Sequence, residues 1–299
     1  MTVRHPFVLV DVFTTRRLAG NPLAVFPDAS TLDDARMQAI AREFGHSETT
    51  FVVPARRPEA AWRLRCFTPT TEIFGAGHNA LGAWWVLATT GRVALSEAEA
   101  VTVVHQELGD AVLPVQIAHR GREVVGVSMV QSEPVFGAVA EDRGELARAL
   151  GLPAEELGLD DLRPQAVSTG ARHLLVPVRS LRAVGAVRVD ADRLTRLARP
   201  LGCEGAYVFA LETLEHGSLA HARSFSPGIG IVEDPATGTA AGPLAALLAA
   251  HGRLREGTTA IVEQGDEIER PSRIEVEVTG QRVRVGGPCA IVAEGALTT

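Results

Sequence analysis

One glutamate stands where a polar segment turns into an apolar strand. The Glu48 carboxylate comes directly before the strand-forming residues in the segment Gly45-His46-Ser47-Glu48-Thr49-Thr50-Phe51. Burial beside an apolar strand raises the pKa of a carboxylate toward neutrality, where it can both take and return a proton. The sequence therefore predicts Glu48 as a catalytic acid and base, whereas an isolated Glu at a strand end is ordinarily a solvent-facing residue.

Two further ionisable residues, His78 and Asp234, lie in glycine-containing loops that lead into long apolar runs. The N-terminus of a helix presents unpaired N–H groups and the positive end of its dipole, and both attract anions. We therefore expect a small carboxylate substrate to bind where the two helices begin. The alternative is that Gly77 and Gly238 only permit tight turns.

The composition excludes several other kinds of chemistry. All 29 basic residues are arginine, so a lysine Schiff base, a pyridoxal phosphate site and a Walker A phosphate loop are ruled out. The chain has a single Tyr, no G-x-S-x-G nucleophile motif and no Cys in the glycine loops. Glu48 therefore has few rivals as the catalytic base.

No cofactor and no metal are expected. The stretch Gly75–Ala80 fits the G-x-G-x-x-A form of the dinucleotide fingerprint, but Pro69 and several polar residues separate it from the preceding strand. The nine His residues do not form a metal-binding pattern, since His216 and His221 lack a helix-face carboxylate and H-E-x-x-H is absent.

Charge and hydropathy point to a protein that acts on small molecules in the cytoplasm. A net charge of −7 argues against nucleic acid as a partner. The first residues do not resemble a secretory signal, and no apolar stretch approaches the ~20 residues that cross a bilayer, so no membrane association is expected. Cys66, Cys203 and Cys289 are too far apart to indicate a disulfide framework and are interpreted as structural thiols.

The two halves of the chain repeat one design. Both contain a strand that ends in an aromatic-hydroxyl-Pro turn, then a glycine loop, then an apolar helix; the copies begin at Arg65-Cys66-Phe67-Thr68-Pro69 and Arg223-Ser224-Phe225-Ser226-Pro227. The helices predicted from Asn79 to Ala88 and from Thr239 to Ala250 carry almost no charge, which is typical of helices buried on all sides.

A shell of strands must surround each buried helix. Short runs rich in Val, Ile and Phe supply them: 7–13, 23–26, 49–53, 101–105, 124–130, 174–178, 206–211, 274–278 and 283–285. The more polar helices predicted at 32–44 and 143–150 would lie outside. The predicted fold class is α+β, in two pseudo-symmetric halves.

At these positions the sequence resembles the PhzF-like phenazine-biosynthesis isomerases. The resemblance runs in order along nearly the whole chain and rests on these motifs: Asp11-Val12-Phe13, Gly20-Asn21-Pro22-Leu23-Ala24-Val25-Phe26, Ser47-Glu48-Thr49-Thr50-Phe51-Val52, Phe67-Thr68-Pro69, Ala76-Gly77-His78, Arg172-His173, Phe225-Ser226-Pro227, Val232-Glu233-Asp234-Pro235-Ala236-Thr237-Gly238-Thr239, Gln264-Gly265 and Arg270-Pro271-Ser272-Arg273.

The resemblance implies a diaminopimelate-epimerase-like fold of two half-barrels, each wrapped around a central helix. The first half-barrel would comprise residues 1–124 together with a returning C-terminal strand, 286–299, and the second would comprise 125–285. It also implies an active site in the cleft between the halves, and a homodimer.

The resemblance also implies roles for particular residues. Glu48 would move a proton along the ring of 2,3-dihydro-3-hydroxyanthranilate, His78 and Asp234 would hold the substrate, and four residues would line the pocket: Ser47, Gly77, Gly238 and Thr239. Fold relatives that racemise amino acids use two opposed thiols, but the corresponding residues here are Ala76 and Ala236, which excludes that chemistry.

Two alternatives stay open from the sequence. The chain could be a non-catalytic protein of the same fold that binds a small ligand or acts as a scaffold. It could instead be a two-base epimerase that uses carboxylates, for which Asp234 is the only candidate partner of Glu48. The intact acid at Glu48, together with His78 and Asp234, favours the isomerase.

Overall fold

The computed structural model describes residues 3–75 and 77–298. The chain divides into two compact units, one formed by residues 1–130 with 286–299 and the other by 131–285. The sequence predicts the boundary after residue 124, and in the structure the first unit continues to Val130. The strand Glu123–Val130 stays whole within the first unit, because its central residues are buried and pair with the preceding strand of that unit.

Within the described residues, the first unit has nine strands and two helices. The strands are β1 (Arg4–Val12), β2 (Asn21–Phe26), β3 (Thr49–Val53), β4 (Trp62–Phe67), β5 (Glu72–Ile73), β6 (Val101–Leu108), β7 (Ala111–Arg120), β8 (Glu123–Val130) and the C-terminal β18 (Cys289–Thr298). The helices are α1 (Asp34–Phe44) and α2 (His78–Thr89). As expected for the returning strand, β18 pairs antiparallel with β1.

The second unit has nine strands and four α-helices within the described residues. The strands are β9 (Val135–Val139), β10 (Gln165–Ser168), β11 (Arg172–Pro177), β12 (Ala206–Ala210), β13 (Ala220–Ser226), β14 (Ile231–Asp234), β15 (Ala260–Gln264), β16 (Ser272–Thr279) and β17 (Arg282–Gly287), whose last two residues count with the first unit. The helices are α3 (Arg143–Leu150), α4 (Leu181–Ala186), α5 (Ala191–Ala198) and α6 (Gly238–Ala250).

The two units have the same strand connectivity, which confirms the repeat seen in the sequence. In the first unit β2 runs parallel to β3, and β4 runs parallel to β6, while β1–β2, β3–β4, β4–β5 and β6–β7 are antiparallel. In the second unit each of these pairings recurs nine strands later, from β10–β11 to β15–β16. The fold is α+β, with one design used twice.

Each unit is built around its apolar helix. All residues of α2 from His78 to Ala88 are buried, and α2 packs against β1, β2, β3, β7, β8 and β18. In the second unit α6 packs against β10, β11 and β16. Since neither helix carries a charged residue, both can be enclosed without leaving an ion out of water.

Glycines at matching positions let both central helices approach their surroundings closely. A Cβ on Gly82 would lie 2.7 Å from Leu23 Cδ2, and one on Gly242 would lie 1.8 Å from Gln131 Oε1. Such distances leave no room for a methyl group. The glycines therefore set how near each helix lies to the groups around its first turns.

The two polar helices that the sequence predicts are also present, with α1 beginning two residues later than expected. Asp33 caps α1 by accepting a hydrogen bond from the Arg36 N–H, and the helix ends at Gly45 in the left-handed conformation (φ 65°). The buried residues of α1 join an aromatic cluster with Phe26, Phe51 and Phe67. The loop that follows α1 carries Glu48.

Candidate active site

Glu48 and His78 lie together in the first unit. Glu48 lies just before β3, and His78 is the first residue of α2. His78 Nδ1 is 3.8 Å from Glu48 Oε2, and the side chains are 9% and 21% exposed, respectively. This distance is longer than a hydrogen bond, so the two groups are close enough to act on one small molecule without being locked to each other.

The His78 imidazole is neutral at physiological pH. Burial, with a smaller electrostatic contribution from nearby His46, lowers the pKa of His78 to about 4. A neutral imidazole has one N–H donor and one acceptor nitrogen. His78 can therefore bind polar groups of a ligand while leaving proton transfer to the carboxylate.

Three buried polar atoms around Glu48 lack a hydrogen-bond partner within the part of the chain that the structure describes: Ser47 Oγ, Thr49 Oγ1 and His78 Nε2. Buried polar groups are nearly always paired, because an unpaired one costs about 1–3 kcal/mol. Ser47 and Thr49 flank Glu48 in the chain and His78 lies beside it in space, so these atoms are candidates to bind the polar groups of a ligand.

The loop before α2 is held by Asn79, a residue that the sequence analysis did not assign to the site. Its side chain accepts hydrogen bonds from the Gly77 and Ala80 N–H groups and donates one to the Gly75 carbonyl oxygen. Asn79 thus fixes the turn that places His78 at the helix start. Ala76, one of the two positions at which racemases carry a thiol, lies outside the described residues.

In the second unit, Asp234 lies at the end of β14 and is held by a network of polar side chains. Its carboxylate accepts a hydrogen bond from the Thr237 hydroxyl. The Gln264 amide donates to the Asp234 carbonyl oxygen at 2.6 Å and to Thr237 Oγ1 at 3.0 Å. The Tyr207 hydroxyl donates to Gln264 Oε1 at 3.0 Å.

The start of α6 has no side-chain cap. Thr237 occupies the N-cap position, but its hydroxyl bonds to Asp234 and makes no capping hydrogen bond to the helix. In α2, the N-cap residue Gly77 has no side chain to cap with. Helix-terminal N–H groups that are not capped can bind an anion, so both helix starts keep the property that the sequence suggested.

Gly238 and Thr239 begin α6 beside a partly buried histidine. His173 Nε2 lies 3.2 Å from Thr239 Oγ1, and burial lowers the pKa of His173 to about 4. The Gly238 carbonyl oxygen accepts a hydrogen bond from Gln131 Nε2 at 3.0 Å. Asp234, Gly238 and Thr239 therefore come together in the second unit, as Ser47, Glu48, Gly77 and His78 do in the first.

Other expected features can be compared with the described residues. Among them, no group of three or more His, Cys, Asp or Glu side chains is placed to bind a metal ion, and no helix is sufficiently long and apolar to span a bilayer. The three cysteines are free and buried, and burial raises the pKa of each thiol. Their interpretation as structural thiols is confirmed.

Comparison with known proteins gives matches along the whole chain. The model of the family described as "Phenazine biosynthesis-like protein" matches residues 10–295. An uncharacterised isomerase of Mesorhizobium japonicum is 38% identical over 97% of this chain and 98% of its own length. The trans-2,3-dihydro-3-hydroxyanthranilate isomerase of Pseudomonas aeruginosa is 35% identical over 97% of this chain and 98% of its own length.

Solved structures agree with these matches. The PhzF-family phenazine biosynthesis protein of Bacillus anthracis superposes with a TM-score of 0.89 at 28% identity, and the match covers 99% of each chain. A hydroxyproline epimerase of Agrobacterium vitis has a TM-score of 0.62 at 13% identity, covering 99% of this chain and 91% of its own. The epimerase shares the fold alone.

Proposed function

This chain belongs to the phenazine biosynthesis-like protein family and is an isomerase, and we propose that Glu48 performs its reaction by moving a proton within a small cyclic, unsaturated amino acid or carboxylate. The carboxylate takes the proton from one carbon and returns it to another. No cofactor takes part, because the double bonds of the substrate itself delocalise the charge that develops. The reaction belongs to secondary metabolism.

One observation supports this proposal most strongly: the Glu48 carboxylate lies 3.8 Å from the neutral imidazole of His78, the first residue of α2. A general acid–base catalyst needs a carboxylate near the reacting carbon and polar groups that fix the substrate. Because its pKa is about 4, His78 is uncharged at neutral pH and offers one hydrogen-bond donor and one acceptor.

The proposed substrate is trans-2,3-dihydro-3-hydroxyanthranilate or a close analogue. The Pseudomonas aeruginosa relative is named for that compound. We propose that N–H groups at a helix start bind the carboxylate of this compound, that His78 and Asp234 hold the ring, and that Thr239 binds its amino or hydroxyl group. We propose Ser47, Gly77 and Gly238 as further substrate contacts.

The direct test is to incubate this compound with the wild-type protein in D₂O and to follow the ring protons by NMR. We expect conversion without added metal or nicotinamide, and no loss of rate with a chelator. If the compound bound tightly but no carbon-bound proton moved, the non-catalytic alternative would replace the isomerase for this substrate.

Asp234→Asn separates a single-carboxylate from a two-base mechanism. If Asp234 only binds the substrate, KM rises while kcat stays within about tenfold, because uniform binding is lost. If Asp234 is the second base, kcat falls by the ~10²–10⁴-fold typical of a lost acid–base group. Steady-state kinetics of the two proteins decide between these outcomes, and we expect the first.

Two further properties complete the proposal. We propose that the protein acts as a homodimer in the cytoplasm. The family resemblance supports the dimer.

A further inference from the structure

Gln264 is a buried amide at a position where the first unit has an apolar residue. It is the last residue of β15 and is fully buried. In the second unit it pairs with Ala222 of β13, and at the same register of the first unit Leu108 of β6 pairs with Leu64 of β4. Leu108 is also buried. The fold therefore accepts an apolar side chain at this position.

All four hydrogen-bonding capacities of the Gln264 amide are used. Its oxygen accepts from the Tyr207 hydroxyl and from the Thr237 N–H, each at 3.0 Å. Its nitrogen donates to the Asp234 carbonyl oxygen and to Thr237 Oγ1. A Gln side chain offers two acceptor positions and two N–H groups, so none is left over.

These bonds fix the direction of the Thr237 hydroxyl. Because Thr237 Oγ1 accepts a hydrogen bond from the Gln264 amide, its own hydrogen is free to point at the Asp234 carboxylate, to which it donates. The second N–H of the amide holds the main chain of Asp234 at 2.6 Å. One side chain thus restrains both the backbone and the carboxylate of Asp234.

We infer that Gln264 is a positioning residue, which holds the Asp234 carboxylate in the orientation that binds the polar groups of the substrate. The inference rests on the proposed function, since it assigns Asp234 to substrate binding. Gln264 itself does not touch the substrate. Its amide takes the place of an apolar residue because only an amide can supply two donors and two acceptors there.

The test uses Gln264→Leu and Gln264→Glu, with Gln106→Leu as the matched control. Gln106 is an equally buried amide on β6, bonded to the Trp84 indole at 2.7 Å and not to any proposed site residue. Gln264→Leu removes donors and acceptors, whereas Gln264→Glu keeps an acceptor and, since a carboxylic acid has a single O–H, removes at least one of the two donors. If either variant fails to fold, the other carries the test.

We expect both Gln264 variants to raise KM by about 10–100-fold with a smaller change in kcat. Without the Gln264 amide, the Thr237 hydroxyl no longer holds the Asp234 carboxylate, which then binds the substrate less well. Gln106→Leu should leave KM unchanged. Wild-type KM in a folded Gln264→Glu protein would overturn the inference.

Crystal structures of the variants test the role of Gln264 independently of the proposed function. In Gln264→Leu the Asp234 carboxylate should leave the Thr237 hydroxyl, whether or not the wild type converts the chosen substrate. If the contact between Asp234 and Thr237 persists in that structure, Gln264 does not position Asp234. A wild-type protein without turnover would reject only the substrate.

Discussion

Two buried histidines show how the surroundings of a single residue set its charge. His78 is buried beside an uncapped helix start, and its pKa falls to about 4. His221 is buried too, which lowers its pKa, but hydrogen bonds to Glu263 and Glu267 outweigh this effect and raise the pKa to about 9. At neutral pH His78 is therefore a hydrogen-bonding group, and His221 is a fixed positive charge.

The His221 cluster predicts how stability depends on pH. His221 Nδ1 lies 3.0 Å from Glu263 and Nε2 lies 2.9 Å from Glu267, with Asp266 also nearby. Since the folded-state pKa of about 9 exceeds the ordinary 6.5, the stabilisation is complete below pH 6.5 and is lost as the pH rises through 9. The shift corresponds to roughly 3 kcal/mol.

This expectation is checked by urea unfolding of wild type and His221→Gln between pH 6 and 10. The difference in the free energy of unfolding should shrink as the pH rises. His251→Gln is the control, because His251 pairs with Asp161 at the surface, where the side chains are 29% and 58% exposed, and such pairs contribute little. A difference for His221→Gln that stays constant across this range would contradict the prediction.

The sequence alone predicts Glu48, His78 and Asp234 as site residues because each stands in a recognisable loop before a strand or helix. Gln264 entered only through a motif of the family resemblance and received no role, because it lies 30 residues from Asp234 along the chain. Nothing in the local pattern of β15 distinguishes an amide that bonds to a distant loop from an ordinary polar strand residue. Asn79 was visible only as part of a glycine-rich motif.

Among the helices and strands, the lack of charged residues gave the most reliable prediction from the sequence. The two central helices were predicted within one or two residues of their observed ends, because a long apolar run without charged residues is typical of a buried helix. The short helices α4 and α5 were missed. Length alone does not explain this, because α3, which also has eight residues, was predicted with its observed bounds.

The glycine of the second central helix should be required for close packing. Gly242→Ala places a methyl group where Gln131 Oε1 now lies, and Gln131 also holds the Gly238 carbonyl oxygen. We expect a loss of about 1–3 kcal/mol from overpacking, larger than the helix propensity gained.

Gly185→Ala is the matched control for Gly242→Ala. Gly185 lies in α4 with no atom within 4 Å of the position of its Cβ. Here Ala should be neutral or stabilise by up to about 1 kcal/mol. Thermal unfolding of the two variants measures both effects, and equal melting temperatures would show that the space around Gly242 is not limiting.

At the scale of the whole molecule, the repeat explains why so much of the fold could be anticipated. Each half carries one buried helix and one set of strands, so recognising one copy in the sequence predicts the other. The division between the copies was harder to place, because no linker of distinctive composition separates β8 from the residues that follow.

The proposed homodimer is tested by light scattering at micromolar concentration. One chain has a mass of 31.7 kDa, and we expect twice that value. A mass that stays at that of a single chain over a range of concentrations would rule the dimer out.

The central claim is that one carboxylate both removes and returns the proton, and Glu48→Gln tests it most directly. Gln keeps the shape and hydrogen-bonding reach of the side chain but cannot cycle a proton, so kcat should fall by at least ~10²–10⁴-fold while substrate binding persists. Glu43→Gln, at an exposed position of α1, is the control and should keep wild-type kcat. Undiminished turnover by a folded Glu48→Gln protein would contradict the role assigned to Glu48.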